Sequence, residues 1–217
     1  MLNTTLMFRL RTVLDFYQMS IRTKEIDGYL DDVQGYLLAL MAEQGPGVGE
    51  IVEIGSFKGR STCWLAHGTK IAGREHVTAI DPFTGSPEHQ PGMSCADMDL
   101  AAQGSTLPIF RQNVRKMDLD LHVAPIVATS EDAAKDWSRP IRLLFIDGDH
   151  SYDGVKRDFE LWSRHVVAGG LIAFHDVGHW DGVTRFYREF MATNNSYEEV
   201  LDLFGLAVVE KKRLADS

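Results

Sequence analysis

From about residue 50 to residue 192 short apolar runs alternate with helical segments, and no other feature of this 217-residue chain constrains its fold as much. Ile51 to Ile54, His76 to Ile80, Val123 to Val127, Ile141 to Ile146 and Leu171 to Phe174 read as buried strands. Arg60 to Ile71, Ile109 to Met117, Asp153 to His165 and about Gly182 to Ala192 read as helices among them. Strands joined through helices imply parallel crossovers and a doubly wound α/β sheet. The alternation breaks at the end. Glu198 to Leu203 and Leu206 to Glu210 are strand-like runs separated by little more than Phe204-Gly205. A link that short permits only an antiparallel hairpin, because a parallel crossover needs about a dozen residues or more.

Before the first strand the chain reads as helices to about Gln44, ended by Gly45-Pro46-Gly47. This divides it into an N-terminal helical cap over 1–45 and an α/β domain over 46–217. The stretch from Phe83 to Ser105, rich in Gly, Pro, Ser and Met, reads as an irregular insertion, and loops of that length are usually functional or mobile. A net charge of −9 disfavours a nucleic-acid partner, since a phosphate-backbone binder carries a basic stripe. Lys211-Lys212-Arg213 reads as a solvated tail. No apolar stretch approaches the length of a membrane span. Cys63 and Cys95 form no CxxC pair, and Cys63 sits in an apolar helical stretch as a core residue. A cytoplasmic protein is the default expectation.

The strongest local signal is Val52-Glu53-Ile54-Gly55-Ser56-Phe57-Lys58-Gly59-Arg60-Ser61-Thr62, where the first strand gives way to the first helix. Open α/β sheets bind ligands at the carboxyl ends of their strands. Gly55 and Gly59 let the backbone turn sharply near a ligand. The spacing is E-x-G-x-x-x-G, unlike the G-x-G-x-x-G of dinucleotide binders, so a nucleoside without phosphates suits it better than a pyrophosphate. Glu53 would repel phosphate and suit a cationic ligand. A generic strand–helix turn is the alternative. Asp81, ending the second strand before Pro82-Phe83, either accepts hydrogen bonds from both hydroxyls of a ribose or caps the turn. Ser130-Glu131 after the third strand caps a helix or meets an adenine, and the two readings are compatible.

The fourth strand ends in Asp147-Gly148-Asp149-His150-Ser151, and the fifth in His175-Asp176. Three ionisable groups in four residues are hard to explain by packing. The two strand ends should be neighbours, so that Asp147, His175 and Asp176 converge on one divalent cation. Oxygen-rich ligation suits magnesium, and a histidine ligand also admits manganese, iron or zinc. The structural alternatives are helix capping by Asp149 or Ser151 and loop bonding by Asp176. His89, His122, His165 and His179 read as surface or loop residues; His89 is the one to watch, because it lies in the insertion.

At these residues the chain resembles the class I S-adenosylmethionine-dependent methyltransferases, from about Ile26 to Lys211. It is similar to a small bacterial group carrying "VEIGSFxGRST", "IDPF", "IDGDHSYxGVxxD" and "GGxIAFHD", which stand here at 52–62, 80–83, 146–158 and 169–176. The resemblance implies a Rossmann-like, mostly parallel seven-stranded sheet whose last strand is antiparallel. It implies that Glu53, Gly55, Ser56 and Gly59 hold the methionine end of the cofactor, with Ser61 nearby. Asp81 would take the ribose, with Pro82 and Phe83 beside it, and Ser130 and Glu131 the adenine, and Asp147 would border the cofactor. Two related subgroups, the catechol-type and the sugar-modifying O-methyltransferases, bind magnesium. Their metal ligands fall on Asp147, His175 and Asp176. Catechol-type enzymes have Asp-Asn at the last two positions and sugar-modifying ones two acids, whereas this chain has His-Asp. The catechol-type base falls on His150 and the sugar-type base on Asp149, and this chain carries both candidates.

Methyl transfer from a sulfonium is an in-line displacement that needs an aligned acceptor and removal of its proton. The expected activity is therefore O-methylation of a small hydroxylated molecule, with S-adenosylmethionine and a divalent cation as cofactors. The Asp-Gly-Asp pattern favours a sugar or a hydroxylated secondary metabolite over a planar catechol. The alternatives are a metal-independent N- or O-methyltransferase and an NAD-binding oxidoreductase, the latter disfavoured by the glycine spacing. A homodimer is an expectation from the resemblance.

Overall fold

The computed structural model describes residues 4–93 and 95–213, with the backbone alone at 4–9 and 88. Its elements are α1 (Thr4–Thr23), α2 (Asp32–Gln44), β1 (Glu50–Ile54), α3 (Arg60–Ala72), β2 (Val77–Asp81), α4 (Met98–Gln103), α5 (Leu107–Lys116), β3 (Val123–Val127), α6 (Ser130–Lys135), β4 (Ile141–Ile146), α7 (Tyr152–Trp162), β5 (Val166–Phe174), α8 (Asp181–Thr193), β6 (Tyr197–Leu203) and β7 (Leu206–Lys211). One seven-stranded sheet has the order β3-β2-β1-β4-β5-β7-β6. The first five strands pair in parallel. The strand β7 lies antiparallel between β5 and β6. The Rossmann-like architecture and the terminal hairpin are thus as the sequence predicts.

The strand order reverses between β1 and β4, so the crevice for a ligand opens above their carboxyl ends. Apolar clusters fill both faces of the sheet. One joins α1, α2, α3 and α5 to one face, and the other joins α7 and α8 to the opposite face. Burying such faces supplies about 25 cal/mol per Å² of apolar surface and is the main drive to this layering. The division near residue 45 falls inside the first cluster, where Met19, Leu38 and Ala42 share a core with Leu65 and Phe145. Helices α2 and α3 approach closely through glycines: a Cβ on Gly35 would fall 2.3 Å from the Trp64 ring, and one on Gly68 2.2 Å from the Ala39 carbonyl oxygen. Arg142, on β4 and buried, reaches the end of α2. Its guanidinium donates to the carbonyls of Met41 and Ala42 and pairs with Glu75 at 2.7 Å. A helix's last carbonyls lack intrahelical partners, and a cation there also meets the negative end of the helix dipole.

Two expectations need revision. β5 begins at Val166, five residues before the predicted start, because Gly169-Gly170 sits inside the strand rather than before it. Gly169 has φ +80°, and the pairing with β4 shifts register there. The segment 83–105 is not irregular throughout. It holds a 3-10 turn at Pro87–His89 and the helix α4, whose N-cap Asp97 accepts from the backbone N–H of Leu100. Among the described residues no helix is long and apolar enough to cross a membrane.

Candidate active site

A cavity of about 420 Å³ opens where the crevice was expected, above the ends of β1, β2 and β4. Its floor is the turn after β1. A Cβ on Gly55 (φ +85°) would lie 2.1 Å from the carbonyl oxygen of Asp147, so only glycine allows this close approach of the β1 and β4 ends. Glu53 lies beneath the turn, fully buried. Its carboxylate accepts from Ser56 Oγ (2.8 Å), Ser61 Oγ (2.6 Å) and the Thr62 hydroxyl. Burial pushes its pKa up to about 7 against the lowering effect of those hydroxyls.

Asp81 reaches over from β2 to the same turn. Its Oδ2 accepts from the backbone N–H groups of Ser56 and Phe57, each at 2.8 Å, and its Oδ1 from that of Phe83 at 2.5 Å. A carboxylate has about four acceptor positions, so the backbone takes three of them. Asp81 lines the cavity. These backbone bonds leave one acceptor position on Asp81.

Of the residues expected around the cofactor, Gly55, Ser56, Ser61, Asp81, Pro82, Ser130 and Asp147 line the cavity. Glu53, Gly59, Phe83 and Glu131 do not, each for a visible reason. Glu53 is turned down onto the hydroxyls. Gly59 (φ +90°) packs against Phe110, which a Cβ would approach to 3.0 Å. Phe83 is a core residue whose ring meets Phe110 at 5.0 Å. Glu131 is exposed and faces Arg157 at 3.1 Å. Ser130 Oγ accepts from the Trp162 indole N–H at 2.8 Å.

The β4 and β5 ends meet as expected. Pairing of Ile146 with Phe174 sets Asp147 beside His175. Ligand atoms of Asp147, His175 and Asp176 all lie within 4.8 Å of one another. His175 Nδ1 is 2.9 Å from Asp147 Oδ1 and 3.4 Å from Asp176 Oδ2. Asp176 has φ +64°, a left-handed conformation that helps set its carboxylate. Burial alone would lower the pKa of His175, but the carboxylates of Asp147 and then Asp176 raise it to about 10. Burial would raise Asp147, but His175 and His150 hold it down to about 2. The two candidate bases separate. Asp149 Oδ1 accepts from the Ser151 backbone N–H at 2.8 Å, and its Oδ2 lies 3.7 Å from Arg157. His150 Nε2 lies 3.3 Å from Asp176 Oδ2 and 3.8 Å from Asp147 Oδ1, with its ring stacked on Trp180 at 4.8 Å.

His89 is not a surface residue. It is buried, lines the cavity and stacks on Phe57 at 4.6 Å and on Tyr29 at 5.9 Å. The sequence reading also missed Lys58, which lies in the glycine turn yet is buried. Its ammonium meets Asp27 (3.1 Å), Asp97 (2.7 Å) and Asp99 (2.6 Å), and these three carboxylates raise its pKa against the effect of burial. It thereby ties the segment before α2 and the insertion to the turn. A lysine in a glycine-rich turn facing an acid-bearing insertion was the available signal.

Comparison with known proteins agrees with this geometry. Residues 52–177 match the family described as "Methyltransferase domain". An uncharacterized protein, R132, of Acanthamoeba polyphaga mimivirus is 30% identical over 125 residues, 58% of this chain and 50% of that protein, so the match spans half that relative's length. A protein from Corynebacterium glutamicum superposes with a TM-score of 0.67 at 15% identity, over 99% of this chain and 100% of that one. An O-methyltransferase from Bacillus cereus, solved in complex with S-adenosylhomocysteine, superposes with a TM-score of 0.60 at 20% identity, over 93% and 91% of the two chains. The chain belongs to the methyltransferase domain family, on the fold of the class I S-adenosylmethionine-dependent methyltransferases.

Proposed function

We propose that this chain transfers the methyl group of S-adenosylmethionine to a hydroxyl of a small acceptor, a sugar or hydroxylated secondary metabolite, with a divalent cation held by Asp147, His175 and Asp176. The observation that carries the reading is the convergence of those three side chains at the cofactor cavity. The donor set fits a divalent ion: two carboxylates suit magnesium, and the imidazole nitrogen also admits manganese, iron or zinc. Such an ion, when bound, lowers the pKa of a hydroxyl it holds. The cavity also fits the cofactor: Gly55 permits close approach, and Asp81 keeps one acceptor position for a ribose hydroxyl. His150, beside the cluster, is the better base of the two candidates. Asp149 instead holds the turn before α7.

A second reading drops the metal. The Nδ1–Oδ1 bond of 2.9 Å suits a protonated His175 that bridges both carboxylates and offsets one of their two charges, leaving His150 to take the acceptor proton. Calorimetry with S-adenosylhomocysteine and with NAD, followed by a mass-resolved transfer assay on hydroxylated acceptors, separates the possibilities. Binding of S-adenosylhomocysteine and not NAD, with activity lost in excess chelator and restored by magnesium, supports the first reading. Full activity in chelator supports the second. His150→Gln should lower turnover by about 10²-fold or more, within the range ascribed to general base catalysis, while Asp149→Asn keeps most of it.

A further inference from the structure

Gln34, on α2, is buried and stands 141 residues from His175 in the chain, yet their side chains meet. Its Oε1 accepts from the backbone N–H of Asp31 at 2.8 Å, and its Nε2 donates to the backbone carbonyl of Phe204 at 2.5 Å. A backbone N–H can only donate and a carbonyl can only accept, so the two contacts forbid a flipped amide. The oxygen facing His175 Nε2 at 3.2 Å is therefore an acceptor, and Nε2 must carry a proton to meet it. The other ring nitrogen, Nδ1, then points at Asp147 and Asp176.

We propose that Gln34 is a positioning residue: it holds the proton on His175 Nε2 and so presents Nδ1 as the ligand atom of the Asp147–Asp176 centre. A histidine that ligates a metal is generally oriented by a hydrogen bond from its second N–H. Here that acceptor comes from α2, and the same amide is anchored to the turn between β6 and β7. Three distant parts of the chain thus converge on one imidazole. The inference rests on the cation reading above, and its test separates the two.

The test compares wild type, Gln34→Met and Gln34→Glu by manganese calorimetry and by NMR of ¹⁵N-labelled histidine, with melting curves and S-adenosylhomocysteine affinity as controls for the fold. Gln34→Met keeps the volume and removes the acceptor; Gln34→Glu keeps an acceptor for Nε2–H. Manganese affinity should fall about 10- to 100-fold in Gln34→Met, the range seen when such an outer partner is removed, and stay within about 3-fold of wild type in Gln34→Glu. The His175 Nε2-bound proton should be visible and slow to exchange in wild type and in Gln34→Glu, and should exchange fast in Gln34→Met. Unchanged manganese affinity in a folded Gln34→Met, where Asp147→Asn abolishes it, overturns the role of Gln34 and leaves the cation reading intact. If wild type binds no manganese, the cation reading fails, and a His175 proton equally protected in wild type and Gln34→Met overturns the positioning role on its own. Should Gln34→Met not fold, fast exchange of that proton in a folded Gln34→Glu overturns it too.

Discussion

Asp147 and Asp176 meet at the cavity with His175 between them, while Asp27, Asp97 and Asp99 meet beside the same cavity around the ammonium of Lys58. By proximity alone both sets of three look able to hold a metal ion. The second already contains its own cation, covalently part of the chain, and its acids arrive from two segments to be held there. The first has only the imidazoles of His175 and His150 beside it, whose charge depends on a proton they can release. Glu53 is a third solution: a buried carboxyl met by three hydroxyl donors, whose pKa burial raises to about 7. A cluster of acids therefore says little about metal until its own neutralising group has been identified.

The comparison can be broken by asking each set for a metal. Asp147→Asn should weaken manganese binding by on the order of 10³-fold, about 4 kcal/mol at 1.4 kcal/mol per decade, while Asp97→Asn leaves it unchanged in calorimetry. The reverse pattern would exchange the roles of the clusters. Lys58→Met should come next, costing on the order of 2–4 kcal/mol in urea unfolding. Removing one partner of a buried pair costs about 3–5 kcal/mol, and the figure is reduced here because Asp27 and Asp99 are partly exposed. Millimolar calcium should restore part of that loss, because the variant turns a latch into three unopposed carboxylates; no recovery would mean the acids simply drift apart.

Glu53 sharpens the contrast through pH. Its folded pKa is raised from 4.5 to about 7, so the fold prefers its neutral form. That stability is fully present below pH 4.5 and is lost as the pH rises toward 7, on the order of 3 kcal/mol at about 1.4 kcal/mol per unit. Glu53→Gln should flatten this part of the stability–pH curve, and a slope that survives would assign it elsewhere. The smallest effect is expected from Asp149→Asn. The amide oxygen can still accept from Ser151, and only an exposed pairing with Arg157 is lost, worth about 0–1 kcal/mol. Manganese affinity should stay within about 3-fold; a large loss would bring Asp149 back into the centre.

Those parts of the fold whose signal is local were legible in the sequence. Ile141–Ile146 and Val123–Val127 are strands with the predicted bounds, and Phe204-Gly205 forced the antiparallel hairpin. The meeting of Asp147 with His175 was legible too, because neighbouring parallel strands carry their ends to one edge. What stayed hidden depends on side-chain direction or on distant partners. Glu53 and Phe83 sit in motif positions yet point into the interior, since Glu53 has three hydroxyls to meet there and Phe83 has Phe110. Gln34 and His89 gain their roles from contacts with remote segments that no local pattern marks, and for Lys58 only the acids of the insertion hinted at its partners.

Asp176 carries a constraint of another kind. At φ +64° its backbone occupies a region that asparagine, aspartate and glycine enter most readily, and that costs other residues about 1–2 kcal/mol. Glutamate would bring the same carboxylate on a side chain one carbon longer, but from a backbone that resists this turn. Other residue types would carry that cost here, as Phe57, Phe83 and Phe204 do elsewhere in the chain, and of the three favoured types only aspartate and asparagine can ligate through oxygen. A lineage of such enzymes could exchange aspartate for asparagine here, changing the charge of the centre while leaving its shape, and could reach few other solutions in one step. The geometry of a single peptide unit would then set how far the chemistry of the site can diversify.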